Sequence, residues 1–137
     1  IDNYQPDLMW FDFGIRYIQE HFKRRFLSYY YNQAEEWSKE VVVTYKHHDL
    51  APGSGLIDLE LGRFNNMTYM EWITDTTVDD GHGWCYLKNN TYKQPEEVIR
   101  YLIDNVSKNG YLLLNVDPMP NGLIPEPSKN ILAEMGK

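Results

Sequence analysis

The sequence predicts an α/β fold with parallel strands, specifically part of a (β/α) barrel. Three observations carry this expectation. Short apolar or β-branched runs alternate with longer segments of helical periodicity. The runs end in polar residues, as strands do at the functional end of a barrel. The glycine-rich turn that a doubly wound sheet normally displays is missing from the 137 residues.

Leu8-Met9-Trp10-Phe11, preceded by Pro6 and closed by Asp12, Phe13 and Gly14, reads as a strand buried on both faces. From Ile15 to about Trp37 the apolar residues Ile15, Ile18, Phe22, Phe26, Tyr29 and Tyr30 recur at helical spacing, with Lys23, Arg24 and Arg25 between them. Val41 to Tyr45 is β-branched and predicts a second buried strand. Periodicity then fails from Lys46 to about Lys93, where Ala51-Pro52-Gly53-Ser54-Gly55 is turn chemistry. Within that stretch, Leu56–Glu60 and Trp72–Thr77 read as short strands. Gln94 to Lys108 predicts a helix, with Pro95, Glu96 and Glu97 at its start and Val98, Leu102, Ile103 and Val106 as its apolar face. Asn109-Gly110 stops it, and Tyr111 to Val116 follows as a strand. Pro118 to Pro127 reads as a loop before a last helix from Ser128 to Met135.

Composition narrows the function. A formal net charge of −7 argues against a nucleic-acid partner, whose phosphates demand clustered Lys and Arg, and against an anionic membrane surface. No run approaches the roughly 20 apolar residues of a membrane span. Aromatic residues make up 15% of the chain, enough to line a pocket for a ligand with apolar faces and polar rims. The single cysteine, Cys85, rules out an intrachain disulfide and a multi-thiolate zinc site, and between Trp84 and Tyr86 it reads as a buried packing residue. Asn66, Asn89 and Asn105 each begin an Asn-x-Ser/Thr triplet.

Two carboxylates stand out. Asp12 follows an apolar run at a predicted strand end, where it serves either as a rigidly held catalytic group or as a cap before Gly14. Glu60 closes Leu56–Leu59 and fits a general acid with a raised pKa, or a surface partner of Arg63. Glu71, beside Trp72, is its rival. A pair of carboxylates among aromatic residues is what glycoside hydrolysis uses: one attacks the anomeric carbon, the other protonates the leaving oxygen. His47-His48-Asp49 and Asp79-Asp80-Gly81-His82 contain metal-ligand residue types, but adjacent strand histidines point to opposite faces and no His-x-x-x-His or closed calcium loop is present. The expectation is therefore no metal and no cofactor, with one histidine, His48, on a sugar hydroxyl.

Longer motifs go further. Tyr4-Gln5-Pro6-Asp7-Leu8-Met9-Trp10-Phe11-Asp12 resembles the nucleophile strand of the α-L-fucosidases of glycoside hydrolase family 29. Trp72-Ile73-Thr74-Asp75-Thr76-Thr77 with Gly83-Trp84-Cys85-Tyr86 resembles a second segment of that family. Val106-Ser107-Lys108-Asn109-Gly110-Tyr111-Leu112-Leu113-Leu114-Asn115 resembles a third, in the same order along the chain.

The resemblance implies a retaining exo-glycosidase acting on terminal α-L-fucose of glycans, by double displacement. It implies that residues 1–137 are a partial catalytic domain, the C-terminal half of a (β/α)8-like barrel, with the rest of that domain outside this sequence. Asp12 corresponds to the nucleophile and Glu60 to the acid/base, since Glu60-Leu61-Gly62-Arg63 stands where members often carry Glu-Arg-Gly. Trp10 and Trp84 correspond to tryptophans against the sugar, and Lys46 falls near a basic sugar-binding residue. The sequence does not fix the compartment; the resemblance suggests a secreted, periplasmic or lysosomal one. A relative of the same fold that binds carbohydrate without hydrolysing it is the alternative. Cys85 departs from the family, which commonly has glycine after this tryptophan, and so does Val116-Asp117-Pro118, where glycine usually precedes the proline.

Overall fold

The computed structural model describes every residue except His82. Two compact units divide the chain, Ile1–Leu59 and Glu60–Lys137.

The first unit contains β1 (Leu8–Trp10), α1 (Glu20–Glu36), β2 (Val42–Lys46) and the strand β3 (Leu56–Glu60), whose last residue lies one past the boundary. β1 pairs in parallel with β2, and β2 in parallel with β3. Register sets Trp10 beside Thr44, Thr44 beside Leu56, and Lys46 beside Asp58. Since side chains alternate along a strand, Trp10, Thr44, Lys46 and Asp58 share one face. Met9, Val43 and Tyr45 take the other, and it is this face that packs against Phe26, Leu27 and Tyr30 of α1. Polar hooks fasten the helix: the Tyr30 hydroxyl donates to the Pro6 carbonyl at 2.7 Å, Tyr31 to the Ser54 carbonyl at 2.6 Å, and Lys23 to the Asp49 carbonyl at 2.8 Å.

Two expectations change here. The helix does not run unbroken from Ile15. A single 3-10 turn, Ile15–Tyr17, is followed by extended backbone at Ile18 and Gln19, and α1 starts at Glu20. β1 is not buried on both faces, as Leu8 and Trp10 are 45% and 38% exposed. Among the described residues it is hydrogen-bonded to β2 alone, at the edge of the sheet.

The second unit contains β4 (Trp72–Thr77), α2 (Pro95–Val106), β5 (Gly110–Asn115) and α3 (Glu126–Met135). β4 and β5 pair in parallel over six residues, from Trp72–Gly110 to Thr77–Asn115. Gly110 is required there: a Cβ would stand 2.4 Å from Cε2 of Trp72, whose ring lies across it. Val78, Val98 and Ile131 form the core, with Leu114, Val116 and Met135 against it. Every residue of β4 is buried, as a strand covered on both faces should be. α2 departs from its expected apolar face. Val98 is buried, but Leu102, Ile103 and Val106 are 38%, 62% and 60% exposed, while the amide of Asn105 is turned inward. The inward stripe is Val98, Tyr101 and Asn105, at 3.6-residue spacing, so the periodic apolar positions sit one step around the helix from the side that packs.

The architecture is α/β, with parallel strands and with helices joining β1 to β2 and β4 to β5, as in part of a (β/α)8-like barrel. No helix among the described residues is long and apolar enough to cross a membrane.

Candidate active site

The polar face of the first unit gathers an aromatic ring, a cation and a carboxylate near the C-terminal strand ends. Asp58 is buried in the middle of β3, and its Oδ2 accepts a hydrogen bond from the Trp10 indole at 2.7 Å. The same oxygen lies 3.0 Å from the Lys46 ammonium, and both side chains are at most 1% exposed. Lys46 Nζ also lies over the Trp10 ring, 5.4 Å from its centroid, and over Phe13 at 5.5 Å. Such stacking favours a cation on the ring's negative face. Trp10 is thus fixed at both its N–H and its π-face, with one side left exposed.

Asp12 lies two residues beyond the end of β1 and is exposed. One carboxylate oxygen accepts from the Phe13 N–H at 2.8 Å. Gly14 follows with a φ of 114°, which an L side chain rarely adopts, so the chain turns sharply and leaves Asp12 at the strand tip. Glu60 ends β3 at the corresponding end and is half-buried. Glu71 precedes β4, at the N-terminal strand end, where it is exposed and accepts a 2.6 Å hydrogen bond from the Tyr111 hydroxyl. That bond, more than burial, raises the Tyr111 phenol above its usual pKa. Arg63 pairs with Asp104 at 3.2 Å.

His47 and His48 lie beyond β2 rather than on it, and both are exposed; His47 has a φ of 52° and stacks at a tilt on Phe13, 5.3 Å between centroids. The strand alternation expected for the pair therefore does not apply. Asp79 and Asp80 belong to the described residues, whereas His82 lies outside them. Among the described residues no group of three or more His, Cys, Asp or Glu is arranged to hold a metal ion. Cys85 is exposed, not buried, because it sits in the long excursion between β4 and α2 instead of in an element.

Trp84 is 37% exposed in that excursion. Its base is built from Lys93 and Asp117, which the sequence did not offer as site residues, and Asp79, which it offered only as a metal-ligand residue type. The Lys93 ammonium donates to the carbonyls of Thr77 and Asp79, at 2.9 Å for Thr77. Asp79 and Asp117 are fully buried. Asp58 was missed as well. Its one visible signal is parity: it shares the period-2 face of Glu60 in an otherwise apolar run. Its match to Lys46 depends on strand register, which no local pattern states.

A family model described as alpha-L-fucosidase matches residues 1–137. The plasma alpha-L-fucosidase of Rattus norvegicus is 28% identical over 149 residues, covering 99% of this chain and 31% of that protein. The plasma alpha-L-fucosidase of Pongo abelii is 27% identical over 151 residues, covering 99% of this chain and 30% of that protein. Among solved structures, the Thermotoga maritima alpha-fucosidase in complex with fucose superimposes with a TM-score of 0.79 at 27% identity, covering 98% of this chain and 29% of that one. The chain therefore spans less than a third of the length of these relatives.

Proposed function

The chain belongs to the alpha-L-fucosidase family, and from that premise we propose that it supplies the C-terminal part of a catalytic barrel that hydrolyses terminal α-L-fucose from glycans with retention. The observation that carries this reading is Asp12 at a strand tip, two residues beyond a tryptophan held by Asp58 and Lys46. A carboxylate fixed beside a sugar-sized aromatic surface has the placement that nucleophilic attack on an anomeric carbon needs.

Asp12 attacks the anomeric carbon while Glu60 protonates the departing oxygen. Water then displaces the aspartyl ester with Glu60 as base, so two inversions give net retention. Glu60, at the C-terminal end of its strand, supports this role better than Glu71, which precedes the N-terminal end of its own. Trp10 and Trp84 provide apolar surface for the deoxysugar, and Lys46 and His48 provide polar contacts toward its hydroxyls. Lys46 is buried against Asp58, so its contribution to binding acts through the orientation of Trp10 as much as through direct contact.

The test uses the complete protein with an aryl α-L-fucoside. Asp12→Gly should lower kcat by about a thousandfold or more, since it removes the covalent nucleophile. Added azide should restore part of the rate and yield a β-fucosyl azide, because the small anion enters from the vacated side. Proton NMR of the wild-type reaction should show α-fucose as the first product. Wild-type rates in Asp12→Gly would end the assignment of the nucleophile, and no turnover by the complete protein would favour a non-catalytic carbohydrate-binding relative.

A further inference from the structure

The excursion from Val78 to Lys93 leaves β4, carries Trp84, and returns to α2. Its two legs are tied at the base by main-chain bonds. The Asp80 N–H donates to the Thr91 carbonyl at 2.8 Å, the Lys93 N–H donates to the Val78 carbonyl at 3.0 Å, and Asp79 and Tyr92 form an isolated antiparallel bridge.

Each leg is also bound by one buried carboxylate. On the outgoing leg, Oδ1 of Asp79 accepts from the N–H groups of Gly81 at 3.0 Å and Gly83 at 3.1 Å. Its Oδ2 accepts from the Thr77 hydroxyl, to which the Asn115 amide donates at 3.3 Å. On the returning leg, Oδ2 of Asp117 accepts from the Tyr92 hydroxyl at 3.1 Å and the Asn90 amide at 3.4 Å, while Oδ1 accepts from Ser128 at 2.9 Å. Asp117 follows β5 and Ser128 lies in α3, so the returning leg is anchored to the core of its unit. Burial and then the Asp117 bond raise the Tyr92 phenol, which keeps it a donor.

Two desolvated carboxylates are an expensive way to close a loop, because each must be satisfied by several fixed donors. Here four of the six donors, on Gly81, Gly83, Asn90 and Tyr92, lie on the excursion itself, and the other two, on Thr77 and Ser128, lie in β4 and α3. Gly83, the last of them on the outgoing leg, immediately precedes Trp84. From this we propose that Asp79 and Asp117 are positioning residues: they hold the two legs so that Trp84 presents its ring to the sugar in one orientation. The proposal rests on the reading of Trp84 as a sugar contact and extends it to groups that never touch substrate.

A double-mutant cycle in the complete protein tests it. Asp79→Ala should lower kcat/KM by about ten- to hundredfold, mainly through KM, as misplacing a binding group does. In a Trp84→Ala background the same change should alter kcat/KM by less than about twofold, since the two residues act as a unit. Asp79→Asn, which keeps a carbonyl for Gly81 and Gly83, should recover most of the loss. If Asp79→Ala does not fold, Tyr92→Phe carries the cycle with a smaller effect, about threefold on KM. Equal losses in both backgrounds would mean that the carboxylates only stabilise the domain, and would overturn the proposal. A wild-type kcat/KM in Trp84→Ala would instead overturn the sugar contact on which it rests. Amide hydrogen exchange needs no turnover: Gly81 and Gly83 should exchange about tenfold faster in Asp79→Ala, and unchanged exchange overturns the anchoring outright.

Discussion

The Lys46–Asp58 pair offers a perturbation whose size follows from geometry. At 3.0 Å, two unit charges attract by about 5 kcal/mol at an effective dielectric constant near 20. With both side chains at most 1% exposed, removing them from water costs several kcal/mol per ion, so the intact pair contributes little net stability. Removing one partner is a different matter. In Lys46→Met the Asp58 carboxylate keeps its 2.7 Å bond from Trp10 but loses its buried counter-charge, and the expected destabilisation is about 3–5 kcal/mol. Lys46→Met with Asp58→Leu removes both charges and should cost far less than the single changes added together. Urea unfolding of the complete protein at pH 7, followed by tryptophan fluorescence, measures all four members of the cycle. A loss below about 1 kcal/mol in Lys46→Met, or additive losses in the double variant, would refute the argument that these charges depend on one another.

Gly110→Ala should destabilise by about 1–3 kcal/mol, since its Cβ would lie within 2.9 Å of three atoms of the Trp72 ring, and thermal melting measures it. Asn105→Ala should stabilise by about 1 kcal/mol: the fully buried amide has no hydrogen-bond partner on either polar atom among the described residues, and the change removes that cost while improving helix propensity. The Lys108 hydrogen bond, then the Lys108 and Arg63 charges, hold the Asp104 carboxyl below its usual value of 3.8. A lowered folded-state pKa stabilises above the unfolded value and the effect disappears as pH falls through the folded one. Melting curves of wild type and Asp104→Asn should therefore differ above pH 3.8 and converge at lower pH.

Much of the chain order was legible because its signals are local. Leu56–Glu60 and Trp72–Thr77 form strands over the residues read from the sequence, since bounded apolar or β-branched runs state their own limits. The break at Ile18 was not legible: helical periodicity continues through it, and the extended backbone there is a tertiary outcome. Asp12, Glu60, Trp10 and Trp84 could be singled out because each ends or punctuates a motif. Asp58, Lys93 and Asp117 could not, because their partners are set by strand register or lie 11 to 48 residues away, and Asp79 was legible only as a metal-ligand residue type, not as the acceptor for the Gly81 and Gly83 N–H groups. Cys85 was misjudged through its aromatic neighbours, which are in a loop and cover nothing around it.

The alternation in β2 makes the chain unforgiving of length changes in one place and tolerant of them nearby. Deleting a single residue within Val42–Lys46 would rotate the following side chains by half a turn, driving an ammonium toward Phe26 and Tyr30 and swinging the Tyr45 phenol to where Asp58 waits. The same deletion at the exposed Pro52 or Gly53 would leave both faces with their own residues. Drift in chain length is thus open to the Ala51–Ser54 bend and closed to Val42–Lys46, which hold grease on one side and charge on the other.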